Sequence, residues 1–294
     1  MSDNLMSRRK FLAGAGLVLG AASVSGVALL KDADPAAAVG TVIPWAYPTD
    51  PASQPNPEAV ARRAWEIYFK SGCAEAVWFS CIEALAAIPG ANQADWASVP
   101  ANVFRFGGGG IAGWGTICGT LNGAAAFIGM AVGPNLVDGK PAWTHRNNLI
   151  NGVFQYYATT PLPTNNTYKS SQGVLGTLGA WTPASPAAAP IANVPTSTAN
   201  SPLCHSSLVQ WTETTGNADA SPAQRDRCGK ACFDVAFKAI SMLNTYHELN
   251  VAPGVSFDPS VAACGTCHKE YTGVKMACGS CHDNTLTDGH MGDF

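Results

Sequence analysis

Two pentapeptides near the C-terminus carry the clearest chemistry in the sequence: Cys264-Gly265-Thr266-Cys267-His268 and Cys278-Gly279-Ser280-Cys281-His282. Two cysteines three apart, with a histidine directly after the second, form the C-x-x-C-H signature of covalent c-type haem attachment. The spacing lets two thiols reach the two vinyl groups of one porphyrin while the adjacent imidazole bonds the iron. Ten cysteines and six histidines in 294 residues would give such a pattern by chance on the order of 0.01 times. A zinc ribbon could use similar residues, but it does not require histidine immediately after both pairs. Each motif therefore predicts one haem, with Cys264, Cys267, Cys278 and Cys281 as the thioether anchors and His268 and His282 as proximal iron ligands. Only nine residues separate His268 from Cys278, so the two porphyrins are tethered close together.

The other end of the chain reads as an address. Ser7-Arg8-Arg9-Lys10-Phe11-Leu12 precedes a Gly- and Ala-rich apolar run through Leu30 and then Ala36-Ala37-Ala38. A charged region, a hydrophobic region and small residues at a cleavage site make residues 1–38 an export signal of the twin-arginine type. The expected location is the periplasm, with no membrane span after signal removal. Haem attachment to C-x-x-C-H takes place outside the bacterial cytoplasm, which export satisfies. The formal charge of −3 becomes −4 once the signal's four basic and three acidic side chains are removed. That weak acidity, without a basic patch, excludes nucleic acid as a partner.

Between these ends the pattern is mainly α. Residues 39–56 are too proline-rich for regular structure. Asn56-Pro57 then supplies a cap and a first-turn proline for a helix with Val60, Ala64, Ile67 and Tyr68 on one face. Gly72 interrupts it, and a second helix begins at Cys73 and ends near Pro89-Gly90. A polar loop leads through Phe104-Arg105-Phe106 into Gly107-Gly108-Gly109-Gly110. Gly113-Trp114-Gly115-Thr116-Ile117-Cys118-Gly119 follows, then an apolar helix to about Val132. Glycine at this density lets backbone approach a ligand or a neighbouring helix closely, and the absence of Gly-Lys-Ser/Thr excludes a nucleotide-phosphate loop.

Residues 144–158 form a further helix. Residues 159–200 read as a long surface excursion. Ser201-Pro202 and Ser221-Pro222 each read as a cap followed by proline, the second opening a helix to about Leu249. The expected layout is a helical body at 39–250 and a dihaem segment of little regular structure at 251–294.

Six cysteines remain: Cys73, Cys81, Cys118, Cys204, Cys228 and Cys232. An even number in an exported chain fits disulfides. Against that, Cys73, Cys118 and Cys204 each fall near a helix start, where N–H groups stabilise thiolate. Cys228 and Cys232 are one helical turn apart, a spacing suited to two ligands, and the twin-arginine route carries proteins already folded around a cofactor. Four thiolates suffice for an iron–sulfur cluster.

These residues carry a family resemblance. Cys73-Ala74-Glu75-Ala76-Val77, the glycine run into Cys118-Gly119-Thr120-Leu121-Asn122-Gly123-Ala124, Cys204, and Arg227-Cys228 resemble the C-GCAxxG-C-C redox proteins. Together with Ser201-Pro202-Leu203-Cys204-His205 and two haem motifs, the chain from about residue 57 resembles the split-Soret cytochromes c. The resemblance implies Cys73, Cys118, Cys204 and Cys228 as ligands of one iron–sulfur cluster, taken as 2Fe-2S, beside two haem c groups per chain. It also implies a homodimer with cross-subunit haem ligation. Thr120 stands where the motif usually has alanine, and Cys81 or Cys232 could replace one of the four. For the distal haem positions His205 and His247 lead, His205 because it matches the family's Cys-His pair, ahead of His290 and His145. Met276 and Met291 would give Met/His ligation instead. The implied activity is electron transfer in anaerobic respiration with periplasmic redox partner proteins; a haem-dependent reductase of a small oxyanion, with one open axial position, is the alternative.

Overall fold

The structure is a computed structural model that describes residues 45–90, 92–133, 136–137, 140–164 and 194–249. The export signal, residues 165–193 of the long excursion, and the dihaem segment with His268, His282, His290 and the four haem cysteines lie outside the described residues.

What is described is mainly α-helical, as expected. Helix α1 (Pro57–Ser71) starts where the cap predicts, the Asn56 side chain accepting from the N–H groups of Glu58 and Ala59. Gly72, at φ 86°, ends α1 and opens α2 (Cys73–Ala86) in one residue, a conformation that favours glycine. Two elements replace the expected polar loop: a short α3 (Gln93–Ala97) and a 3-10 turn over Ala101–Gly107. Helices α4 (Gly119–Val132) and α5 (Ala142–Thr159) are joined by a ladder of two residues per strand, β1 (Leu136–Val137) against β2 (Lys140–Pro141). Helices α6 (Cys204–Thr215) and α7 (Pro222–Leu249) complete the order. Among the described residues no helix is long and apolar enough to cross a membrane.

Helix α7 is the spine. It packs on α1, α2, α4 and α5, and its inward residues Cys232, Val235, Ala236, Ala239, Ile240 and Leu243 are all inaccessible to solvent. The 28-residue length corresponds to roughly 42 Å at a rise of about 1.5 Å per residue. Against α1 the approach is closest at Gly229, where an added Cβ would stand 3.0 Å from Tyr68 and 3.1 Å from both Phe69 and Trp65. Helices α2 and α4 meet through Gly119 and Gly123 in the same way.

One expected cap is displaced. Ser201-Pro202 does not open α6; the helix begins at Cys204 with Leu203 as its N-cap residue. The Ser201 hydroxyl accepts from the Leu203 N–H instead, and an antiparallel bridge pairs Leu203 with Ile117. The ends of the long excursion are also tied together, by the pairing of Leu162 with Ser197. Trp211 lies in the core and donates to the Pro195 carbonyl at 2.7 Å.

Candidate metal centre

The 203–117 pairing builds the centre. The Cys118 N–H bonds Pro202 O at 2.9 Å, the Cys204 N–H bonds Thr116 O at 2.7 Å, and the His205 N–H bonds Gly115 O at 3.1 Å. Cys118, the N-cap residue of α4, and Cys204, the first residue of α6, are thereby set side by side. Gly119 then fixes Cys73: a Cβ at 119 would lie 2.4 Å from Gly107 O and 3.0 Å from both Ala74 N and Cys73 Cβ. Only glycine permits α4 to start that close to the start of α2.

Cys228 arrives from the second turn of α7. Cys204 feels the charges of Cys118, Cys228 and Cys73, and Cys228 feels Cys73 and Cys118. The four residues implied as ligands thus converge at one place, from α2, α4, α6 and α7. Cys232 is their neighbour, buried, with its thiol directed at Cys73 O at 3.8 Å. Burial, then Cys73, push its thiol up. Cys81 is elsewhere, sealed in the core beside Tyr47, where burial pushes its thiol up to about 12. No disulfide joins any of the six.

The thiols are not equivalent. Cys118 is shifted down, first by the hydrogen bond from Cys204, against the opposing effect of burial, with further help from Thr120 and Tyr157. The Thr120 hydroxyl donates to Cys118 Sγ at 3.3 Å, and the N-terminus of α4 favours an anion at the same atom. Cys204, which gives that hydrogen bond, is pushed up by it and by its own burial. The same contact thus favours the thiolate at Cys118 and the thiol at Cys204.

A cation sits beside them. Arg227 is 2% exposed and makes no salt bridge with a carboxylate among the described residues; one terminal nitrogen donates to Ser207 Oγ at 2.5 Å, and its Nε has no hydrogen-bond partner. Burial opposes its charge, but Tyr157, Cys228 and Cys118 more than offset that and hold it protonated. The Tyr157 hydroxyl is buried in the same place, beside Cys118 and Ser207. A buried guanidinium without a carboxylate calls for negative charge nearby, and the thiols are the groups placed to provide it.

Among the described residues no three Cys, His, Asp or Glu side chains converge as ligands of a single metal ion do. A polynuclear cluster asks for something different, four thiolates spread around more than one iron. The donor set, the compensating cation and the absence of disulfides fit that group.

The histidines divide. His205 is exposed and belongs to the thiol end, its Cβ packed over Gly115. His247 stands at the opposite end of α7, stacked on Tyr47 at 4.7 Å and edge-on to Tyr246 at 4.9 Å. Its Nε2 is buried and unpartnered, and burial pulls its pKa down to about 4. His145 is also near Tyr246, 5.5 Å from its ring. Tyr157 and Ser207 escaped sequence reasoning as members of the centre. Thr120 and Arg227, each within two residues of a candidate cysteine in the quoted motif, carried a signal.

Four thiols gathered without a disulfide, on a helical body followed by two C-x-x-C-H motifs, are the arrangement of a redox protein. The family described as "Putative redox-active protein (C_GCAxxG_C_C)" matches residues 72–244, and the chain belongs to it and to the split-Soret cytochromes c within it. The split-Soret cytochrome c of Desulfovibrio desulfuricans (strain ATCC 27774) is 30% identical over 242 residues, 78% of this chain and 76% of the relative. The solved structure of the split-Soret cytochrome c from that strain, reported with a novel iron centre, superimposes with a TM-score of 0.62. It is 26% identical and covers 79% of this chain and 89% of its own.

Proposed function

We propose that this chain is an exported electron-transfer protein of anaerobic respiration, carrying two haem c groups and one iron–sulfur cluster of the 2Fe-2S type. The observation that carries the reading is the convergence of Cys73, Cys118, Cys204 and Cys228 without a disulfide. Membership in a redox family with a cytochrome relative supports it. Haem and iron–sulfur groups supply one-electron chemistry when bound, and the polypeptide sets potential and access.

In this reading Cys73, Cys118, Cys204 and Cys228 hold the cluster, and Arg227 with Thr120 offsets its negative charge. The haems are anchored by Cys264, Cys267, Cys278 and Cys281, with His268 and His282 as proximal ligands. The twin-arginine signal delivers the chain to the periplasm with the cluster already in place, and haem is added there. A homodimer with cross-subunit haem ligation, passing electrons to periplasmic partner proteins, completes the assignment.

The test is iron counted against covalently bound haem in the purified holoprotein. Iron in excess of haem is expected, and it should fall to the haem value in Cys118→Ser and Cys228→Ser while persisting in Cys81→Ala. Iron equal to haem in the wild-type protein would remove the cluster.

A further inference from the structure

Exposed apolar side chains are not spread evenly over the described residues. Of the six large ones, Val103, Phe106, Ile111 and Trp114 fall within residues 103–114, at 46%, 54%, 40% and 82% exposure; Phe237 and Leu249 are the others. Local structure makes the first four one surface. Val103 and Phe106 stand three apart in the 3-10 turn, where residues at that spacing eclipse. The Phe106 carbonyl accepts from the Ala112 N–H at 2.8 Å, and the Ile111 carbonyl accepts from the Trp114 N–H at 3.0 Å.

The loop that displays them is strained. From Gly109 to Gly113 the φ values are 61°, 67°, 60°, 49° and 83°, and two of these residues, Ile111 and Ala112, are not glycine. The left-handed region costs about 1–2 kcal/mol for each of those two, and a β-branched residue there is a rare outlier. Strain of this kind persists where the surroundings impose it, and it collects at functional sites. Here the thiol centre imposes it. The carbonyls of Gly115 and Thr116 accept from the His205 and Cys204 N–H groups at 3.1 and 2.7 Å, and a Cβ at Gly115 would stand 2.8 Å from His205 Cβ. Trp114 is thus two residues from a carbonyl bonded directly to Cys204.

Size and charge say what the surface fits. A whole aromatic side chain covers about 150–250 Å², so the four exposed portions present roughly 400 Å² of apolar area. A stable pair buries about 800 Å² on each partner, whereas brief redox encounters stay below about 600 Å². Arg105 is the one charged side chain between residues 96 and 137, and its guanidinium is paired with Glu75 at 2.9 Å. The patch therefore offers little net charge with which to steer a partner.

We propose that Val103, Phe106, Ile111 and Trp114 form a docking surface for a second redox protein, one that presents an uncharged apolar face over its own one-electron cofactor and meets the cysteine centre in a short-lived encounter. One electron crosses per encounter, the centre's iron losing it and the partner's cofactor gaining it, with no bond made or broken. The inference rests on the iron–sulfur reading above and locates where that group exchanges electrons.

The experiment is voltammetry of the holoprotein at gold coated with a methyl-terminated monolayer, an uncharged apolar stand-in for the partner, with a carboxylate-terminated monolayer for comparison. Protein coverage, iron against haem and sedimentation are measured on the same samples. Electron exchange with the non-haem iron should be faster on the methyl surface. Trp114→Ser and Phe106→Ser should each slow it there by about tenfold, the size of a central interface contact, with iron content and potential unchanged. Phe237→Ser, which removes an exposed aromatic of α7, should match wild type. Equal rates in the wild type and both patch variants, or faster exchange on the carboxylate surface, would overturn the proposal, the patch then being covered by this chain itself or bypassed. A wild-type dimer that falls to monomer in Trp114→Ser would overturn it in favour of a second copy as the occupant. Iron equal to haem in the wild-type protein would instead overturn the iron–sulfur reading.

Discussion

Two glycines of α4 make opposite predictions for the same substitution. Replacing an interior helix glycine by alanine stabilises an exposed site by about 1 kcal/mol. At Gly129 the added Cβ would meet only Arg146 Cδ, at 4.0 Å, so Gly129→Ala should gain about 0.5–1 kcal/mol. At Gly123 the same carbon would stand 2.4 Å from Ala74 O and 3.0 Å from Trp78 N. Those are backbone atoms of α2 and cannot rotate away. Relieving the clash means moving α2 off α4, an overpacking cost of about 1–3 kcal/mol that outweighs the propensity gain. Because Cys73 is the first residue of α2, the shift also pulls one candidate ligand from the other three. Gly123→Ala should therefore unfold at lower urea concentration than wild type and retain less iron beyond haem. Gly129→Ala should unfold at higher concentration with iron unchanged. If Gly123→Ala matches Gly129→Ala in both readouts, the α2–α4 approach is not what sets the thiols.

Three further outcomes follow from the same geometry. Arg227→Gln removes a buried cation whose surroundings are thiols, at a cost of about 3 kcal/mol or more; where the cluster survives, its midpoint potential should fall, measured by a redox titration. Asp234, held up to about 6 by burial and partly offset by hydrogen bonds from Thr164, binds its proton more tightly in the native chain than in the unfolded one. Its contribution is present below about pH 4 and lost as pH rises through about 6, so urea midpoints of wild type should decline relative to Asp234→Asn across that window and run parallel above it. Cys232→Ser should keep the excess iron, since that thiol is directed at a backbone carbonyl; loss of iron there would make Cys232 a ligand.

The parts of this molecule that local chemistry dictates were legible in the sequence. Asn56-Pro57 and Ser221-Pro222 opened helices where expected, because a side-chain acceptor beside a fixed φ acts within four residues. Cys73 and Cys118 also fell at helix starts, without a side-chain cap, Cys73 directly after Gly72 and Cys118 after a glycine-containing loop. Ser201-Pro202 misled because a distant strand-like pairing with residues 115–118 claimed the Cys204 N–H that a cap would have used. Burial of Arg227, and the approach of His145 to Tyr246, depend on how α5, α6 and α7 pack; no spacing along the chain reports either.

Helix α7 also constrains how the candidate groups relate. Cys228 and His247 share one unbroken helix, so their separation, roughly 28 Å at about 1.5 Å per residue, is fixed by backbone hydrogen bonding and not by a hinge. Neighbouring helices bury this spine along most of its length, from Asp226 to Tyr246, which leaves little room for the thiol end and the imidazole end to approach each other. The exposed side chains near the thiol end include Trp114, 82% exposed, and His205. They surround a glycine loop whose backbone is bonded directly to Cys204 and His205.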